Sequence, residues 1–203
     1  MAGETRRKRK NDSKARFIKA AAELFEEYGY EDATLEAIAD RAGLHVQTLY
    51  RQFESKHDLA FTLLFDNLRH FEEFFARRTS DSLHTWREWV ERNANYAIKQ
   101  KQDLWDSAAI RTSNRYLVYW HQYETVLAEG IAEDIGVEAA DDLRPMLIAC
   151  MLVGSNRHTA SEFAKAGKNH RKSYVHALIK VVDTVIKEFS PMLVTPKTKK
   201  RNA

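Results

Sequence analysis

A single cysteine, Cys150, stands in a chain of 203 residues, so neither an intrachain disulfide nor a cysteine-based zinc site can form. Seven glycines and three prolines are few for that length, and their scarcity argues against turn-rich β architecture. No run of eighteen apolar residues occurs, and the basic N-terminus has no apolar segment behind it. Neither a membrane span nor a signal peptide is therefore expected, and the expected compartment is the cytoplasm. The eight histidines show no HExxH or other dense ligand pattern, so no metal and no cofactor is expected. A nucleophile elbow, a Walker loop and a dinucleotide fingerprint are missing too, which argues against an enzyme. The net charge of +3 is too small to identify a partner by its total.

What is present is helical. At 44% hydrophobic and 30% charged, the chain can bury a substantial core, and its apolar residues recur three and four apart, which predicts an all-α protein. Charge is concentrated at the ends. Residues 1–16 hold Arg6, Arg7, Lys8, Arg9, Lys10, Lys14 and Arg16 against Glu4 and Asp12, and residues 197–201 add four more basic side chains. Such blocks suit polyanions, although many are only solvated tails. Residues 1–11 have almost no apolar surface to bury, and a disordered basic arm is expected there, followed by a helix capped by Asp12 or Ser13 that runs through Tyr28. Its apolar stripe is Phe17, Ile18, Ala21, Leu24, Phe25 and Tyr28, and Gly29 ends it.

The stretch Thr34–Lys56 organises the chain. Thr34 is the expected N-cap of a helix to Ala42, whose Ile38, Ala39 and Ala42 face inward, and Thr34 is also expected among the DNA-contacting residues with His45, Val46, Gln47, Thr48, Tyr50, Arg51 and Lys56. Gly43 supplies the positive φ of a sharp turn, and Leu44 and Leu49 plug the space beneath. A small residue at the crossing, a glycine in the turn and an aliphatic plug are the parts of a helix-turn-helix, whose second helix enters the major groove of DNA. That helix is expected over Val46–Phe53. Leu49 and Phe53 face the core, leaving His45, Val46, Gln47, Thr48, Arg51 and Gln52 outward, with Tyr50 at the edge. Gln47 suits adenine and Arg51 guanine; the Thr48 hydroxyl and the Tyr50 phenol suit phosphate oxygens. Ser55 to Asp58 reads as a capping-box-like start of the next helix, with Lys56 placed as a phosphate anchor.

The segment IADRAGLHVQTLYRQFESKHDL resembles the N-terminal signature of the TetR family of bacterial transcriptional regulators. Ile38, Ala39, Ala42, Gly43, Thr48, Leu49, Tyr50, Phe53, Lys56 and Leu59 fall on its marked positions, and the likeness covers about residues 12–65. His45, Gln47 and Gln52 depart from it, the first two where bases are read, so no operator sequence can be borrowed. The resemblance implies a three-helix DNA-binding domain, a larger helical ligand-binding and dimerisation domain, about nine helices in total, and homodimers. The expected division is a basic arm over 1–11, a helix-turn-helix domain over 12–54, a linking helix over 55–78, a ligand-binding and dimerisation domain over 79–191 and a basic tail over 192–203.

In the linking helix Leu59, Leu63, Leu64, Leu68, Phe71 and Phe75 form the apolar side. All four tryptophans fall between positions 86 and 120. Trp86, Trp89, Trp105, Tyr116, Tyr119, Trp120 and Tyr123 can line an apolar pocket for a small molecule, or they can simply be core. Arg111, Arg115 and His121 lie near this cluster, and His121 with Glu124 has the spacing of a weak metal pair. The run Met146–Gly154 is apolar on nearly all sides and must be covered from more than one direction; residues 171–189 form a partner helix that Pro191 stops. The expected function is a ligand-responsive, operator-binding transcriptional regulator. It acts as a homodimeric repressor on palindromic double-stranded DNA, released by a small apolar or amphipathic effector. The alternatives are a ligand-independent DNA-binding protein whose body only dimerises, and a helical enzyme.

Overall fold

The computed structural model describes residues 2–99, 108–166 and 171–193. Among them are nine α-helices, a closing 3-10 turn and no strand, as the all-α expectation requires. The helices are α1 (Ala2–Tyr28), α2 (Leu35–Ala42), α3 (Val46–Tyr50), α4 (Lys56–Ala76), α5 (Ser82–Lys99), α6 (Ala108–Arg111), α7 (Asn114–Ile135), α8 (Leu143–Ala166) and α9 (Arg171–Phe189), with Ser190–Leu193 as the 3-10 turn. Trp105, Gly167 and the basic residues of the C-terminal tail lie outside the described residues.

The chain forms two compact units: residues 1–70 with 96–119, and residues 71–95 with 120–203. These do not coincide with a division at residues 54 and 78, because α4 and α7 each contribute to both units. Side chains of α4 explain the first part of that difference. Within the first unit Asp58 pairs with Arg115 at 2.9 Å, Phe65 meets Tyr119 edge-on at 5.9 Å, and the Tyr119 hydroxyl donates to Asn67 at 3.3 Å. The start of α7 is thereby held along α4.

The core of the first unit is the apolar face of α1 (Phe17, Ala20, Ala21, Leu24, Phe25) closed over Ile38, Ala39, Leu49, Phe53, Leu59 and Phe61. Two expectations for α1 are corrected. The helix begins at Ala2 rather than at a cap on Asp12 or Ser13, so residues 2–11 are helical and not a disordered arm. Ala, Glu, Arg and Lys are good helix formers, no proline interrupts them, and the Ser13 hydroxyl bonds back to the Lys10 carbonyl from within the helix. Tyr28 is 55% exposed and leaves the core stripe. Gly29, at φ 87°, turns the chain so that Tyr30 takes that place, its ring 5.3 Å from Phe25.

In the second unit α5, α7, α8 and α9 surround Phe71, Trp86, Tyr123, Leu127, Ile131, Ile148, Leu152 and Val182. The Asp81 carboxylate caps α5 by accepting from the His84 amide at 3.0 Å. Gly130 lets α7 pass directly over the Phe75 ring and Ser82; a β-carbon there would lie 2.5 Å from the ring. Pro145 sits in the first turn of α8, where its missing amide costs nothing. Arg87 of α5 reaches Asp183 of α9 at 2.7 Å. α8 packs on α9, and its Ile148, Ala149, Leu152 and Val153 are buried, whereas Leu143 (73% exposed), Leu147 (52%) and Cys150 are an exposed apolar strip.

Candidate nucleic-acid interface

The turn is built as its residue types require. Thr34 accepts from the Ala37 amide at 3.1 Å and starts α2. Gly43 closes α2 in the left-handed region (φ 63°, ψ 39°), its amide donating to the Asp40 carbonyl and the Leu44 amide to Ala39. Arg16, from α1, donates to the Ala42 and Gly43 carbonyls and so places a cation on the exposed acceptors at the end of α2. Arg41 pairs with Glu27 at 2.8 Å and with Glu23 at 3.5 Å, tying α2 to α1 a second time.

α3 is shorter than the expected Val46–Phe53. It ends at Tyr50, and Gln52 and Phe53 close a turn onto the Leu49 carbonyl. Leu49 and Phe53 are buried, the latter edge-on to Phe17 at 6.4 Å, and they pin the helix from below. His45, Gln47, Tyr50 and Arg51 are exposed; Val46 and Thr48 are half-buried. His45 is the N-cap of α3 by backbone conformation, but its side chain makes no capping bond and is left outward. Arg51 donates to the Thr48 hydroxyl at 3.1 Å, which sets the guanidinium along the outer face of the helix. His45, Gln47, Tyr50 and Arg51 thus remain exposed as candidate base-reading or backbone-contacting side chains.

Three expected contacts are arranged otherwise. The Tyr50 hydroxyl donates to Glu36 at 3.1 Å, and that carboxylate raises the phenol pKa above its ordinary value. Gln52 turns inward and donates to the Ser13 hydroxyl at 2.6 Å, so it belongs to the α1 contact rather than the outer face. The Lys56 ammonium donates to the Tyr30 and Glu31 carbonyls at 2.7 and 2.9 Å and lies 4.5 Å from the centre of the Tyr30 ring. Two of its three N–H groups therefore hold the α1–α2 turn against α4. Ser55 does accept from the Asp58 amide at 3.3 Å, but the Asp58 carboxylate pairs with Arg115 instead of closing a capping box. Sequence spacing carried no signal for Arg16, Ser13 or Glu36, which bind across distances of tens of residues or between neighbouring helices.

The aromatic candidates separate. Trp86, Trp89 and Tyr123 pack around Phe71 at 5.5, 5.4 and 4.8 Å, and Trp120 joins Tyr123 at 5.6 Å, all in the second unit. Tyr116 and Tyr119 are buried in the first. Arg115 stacks on Phe61 at 4.7 Å, and His121 pairs with Glu124 at 3.3 Å. Among the described residues no group of three metal-ligating side chains is found, and no helix is long and apolar enough to cross a membrane.

Residues 17–63 match the family model of bacterial regulatory proteins, tetR family. Over this N-terminal region the chain is similar to the TetR family. Across residues well beyond the match, an HTH-type transcriptional regulator of Staphylococcus aureus strain USA300 is 30% identical over 97 residues, 48% of this chain and 52% of that protein. The chain thus spans about half the length of that relative. A likeness of fold extends further in three dimensions. FadR from Bacillus subtilis, solved with stearoyl-CoA, superposes with a TM-score of 0.65 at 18% identity over 85% of this chain and 97% of that one. SmeT, repressor of the Stenotrophomonas maltophilia multidrug efflux pump SmeDEF, gives 0.65 at 19% over 92% and 96%. At such identities the TetR likeness of the body is one of fold.

Proposed function

We propose that this protein is a ligand-responsive transcriptional regulator that binds a palindromic DNA operator as a homodimer and acts as a repressor. The observation that carries the reading is the open face of α3. Gln47 and Arg51 stand outward on a helix whose inner face is anchored by Leu49 and Phe53. A glutamine amide can bond adenine and a guanidinium guanine with paired hydrogen bonds, each such pair discriminating by about 1–3 kcal/mol. A two-fold dimer is supported by the second unit, where Leu143, Leu147 and Cys150 leave an exposed apolar strip on α8 for a second copy to cover.

An effector in the second unit is supported by two buried polar groups with no hydrogen-bond partner, the Trp86 indole N–H and the Asn156 amide. Leaving such groups unpaired costs about 1–3 kcal/mol each, and a mostly apolar molecule bearing one polar group can supply partners. FadR with its bound stearoyl-CoA is a protein of the same fold that accommodates an acyl thioester. The effector acts only by binding the DNA-competent and DNA-released conformations with different affinity, typically by 1–3 kcal/mol. The close ring packing of Trp86, Trp89 and Tyr123 favours a second reading, in which the body only dimerises. A thermal-shift screen against small molecules separates the two, because an effector that prefers the folded state raises the melting temperature.

Selection of bound sequences from random duplex DNA tests the whole reading. The expected result is a palindrome with half-sites about 34–36 Å apart, or a multiple of that spacing. Gln47→Ala and Arg51→Ala are expected to relax base preference at separate positions. Recovery of no consensus, or the same consensus from both variants, would remove α3 as the reading helix.

A further inference from the structure

The N-terminal half of α1 has no place in the core. None of the described side chains before Phe17 is buried: Glu4, Arg7, Lys8, Lys10, Asn11, Asp12, Lys14, Ala15 and Arg16 are exposed and Ser13 is half-buried. Five consecutive basic residues, Arg6 to Lys10, occupy the second and third turns. On a helix this puts like charges three and four residues apart, which is destabilising, and the described members of the run, Arg7, Lys8 and Lys10, are exposed.

The place where this rod leaves the domain is defined by three contacts. Ser13 receives the Gln52 amide, Lys14 lies 5.6 Å from the centre of the Phe53 ring, and Arg16 holds the carbonyls of Ala42 and Gly43. Ala42 and Gly43 lie at the end of α2 and in the turn before α3, and Gln52 and Phe53 are the second and third residues after α3. The rod is therefore rooted beside α3, and its charge suits a polyanion.

We propose that residues 2–12 form a basic helical rod that lies along the phosphates flanking each operator half-site, a second DNA-binding surface separate from α3. The proposal rests on the DNA-binding reading above. Eleven residues of helix extend about 16 Å, long enough to lie beside more than one backbone phosphate. Because it contacts only the backbone, it adds affinity without sequence preference. A duplex is favoured over another polyanion because the root of the rod adjoins α3: DNA seated on that helix places its backbone within reach.

The test uses the full-length chain and a random-sequence 30-base-pair duplex, with affinity measured from 50 to 200 mM salt. Arg7→Gln, Lys8→Gln and Lys10→Gln are combined; all three side chains are exposed, so the fold is retained and far-UV circular dichroism checks it. Losing three phosphate contacts lowers the slope of log affinity against log salt by about 2.7. Over that salt range the wild type then loses about 40-fold more affinity than the variant. Equal slopes and equal affinities overturn the proposal. A wild type that binds the duplex without salt dependence, or not at all, overturns the DNA-binding reading instead, and does so in the wild-type arm alone.

Discussion

Replacing Lys56 by methionine separates two roles that one lysine can play at the start of α4. Its ammonium donates to the Tyr30 and Glu31 carbonyls and rests on the face of the Tyr30 ring. Hydrogen bonds from charged groups contribute about 1.5–3 kcal/mol each, and Lys56 is half-buried, so the lower end applies. Two such bonds and a cation–π contact of about 0.5–1 kcal/mol total nearly 4 kcal/mol. Methionine keeps the apolar stem against the ring and recovers part of that, which leaves a loss of about 2–3 kcal/mol. For a chain of this size the melting temperature falls by about 5–10 °C. Circular dichroism measures it, and operator affinity is then titrated against salt at a temperature where both proteins are folded. A lysine that only holds the α1–α2 turn leaves the salt slope unchanged, whereas one that also reaches a phosphate lowers it by about 0.9. An unchanged melting temperature together with a reduced slope would refute the buttress assigned to Lys56 and restore the plain phosphate anchor.

Three other perturbations follow from single geometries. Gly43→Ala forces an L-residue to φ 63° and sets its β-carbon 3.1 Å from the Arg16 guanidinium, so urea denaturation should show a loss of about 1–2 kcal/mol. Gly43→Asn, which tolerates that conformation, should lose less. Gly130→Ala gains about 1 kcal/mol of helix propensity but meets the Phe75 ring at 2.5 Å; overpacking of about 1–3 kcal/mol prevails, and a stabilised variant would contradict the packing of α7 on Phe75. Burial, with the neighbouring Glu31 charge adding to it, pushes the Tyr30 phenol up to about 12. The neutral phenol is favoured in the fold, so its contribution is complete below pH 10 and is lost as pH rises from 10 through 12. Tyr30→Phe should flatten that part of the stability–pH curve, as read by equilibrium unfolding.

Local chemistry decided much of this protein before tertiary contacts entered. Thr34 before an apolar helix, glycine at 43 and apolar spacing at Ile38, Leu49 and Phe53 specify the caps, the turn and the inward faces, because each depends on residues within one or two helical turns. The resemblance to the TetR family is legible for the same reason: its signature is a dense local pattern. Composition at the N-terminus did not encode helix length, since good helix formers continue α1 back to Ala2. What only the tertiary structure decided is where long polar side chains go. Lys56 finds carbonyls 25 and 26 residues away, Arg16 caps a helix 26 residues on, Gln52 meets Ser13 and Asp58 meets Arg115. A flexible stem lets such a head group choose among acceptors that only packing brings near, so no periodicity in the chain encodes the choice. The aromatic residues divide between two units for a related reason: the ring that gathers Trp86, Trp89 and Tyr123 is Phe71, on a helix far back in the sequence.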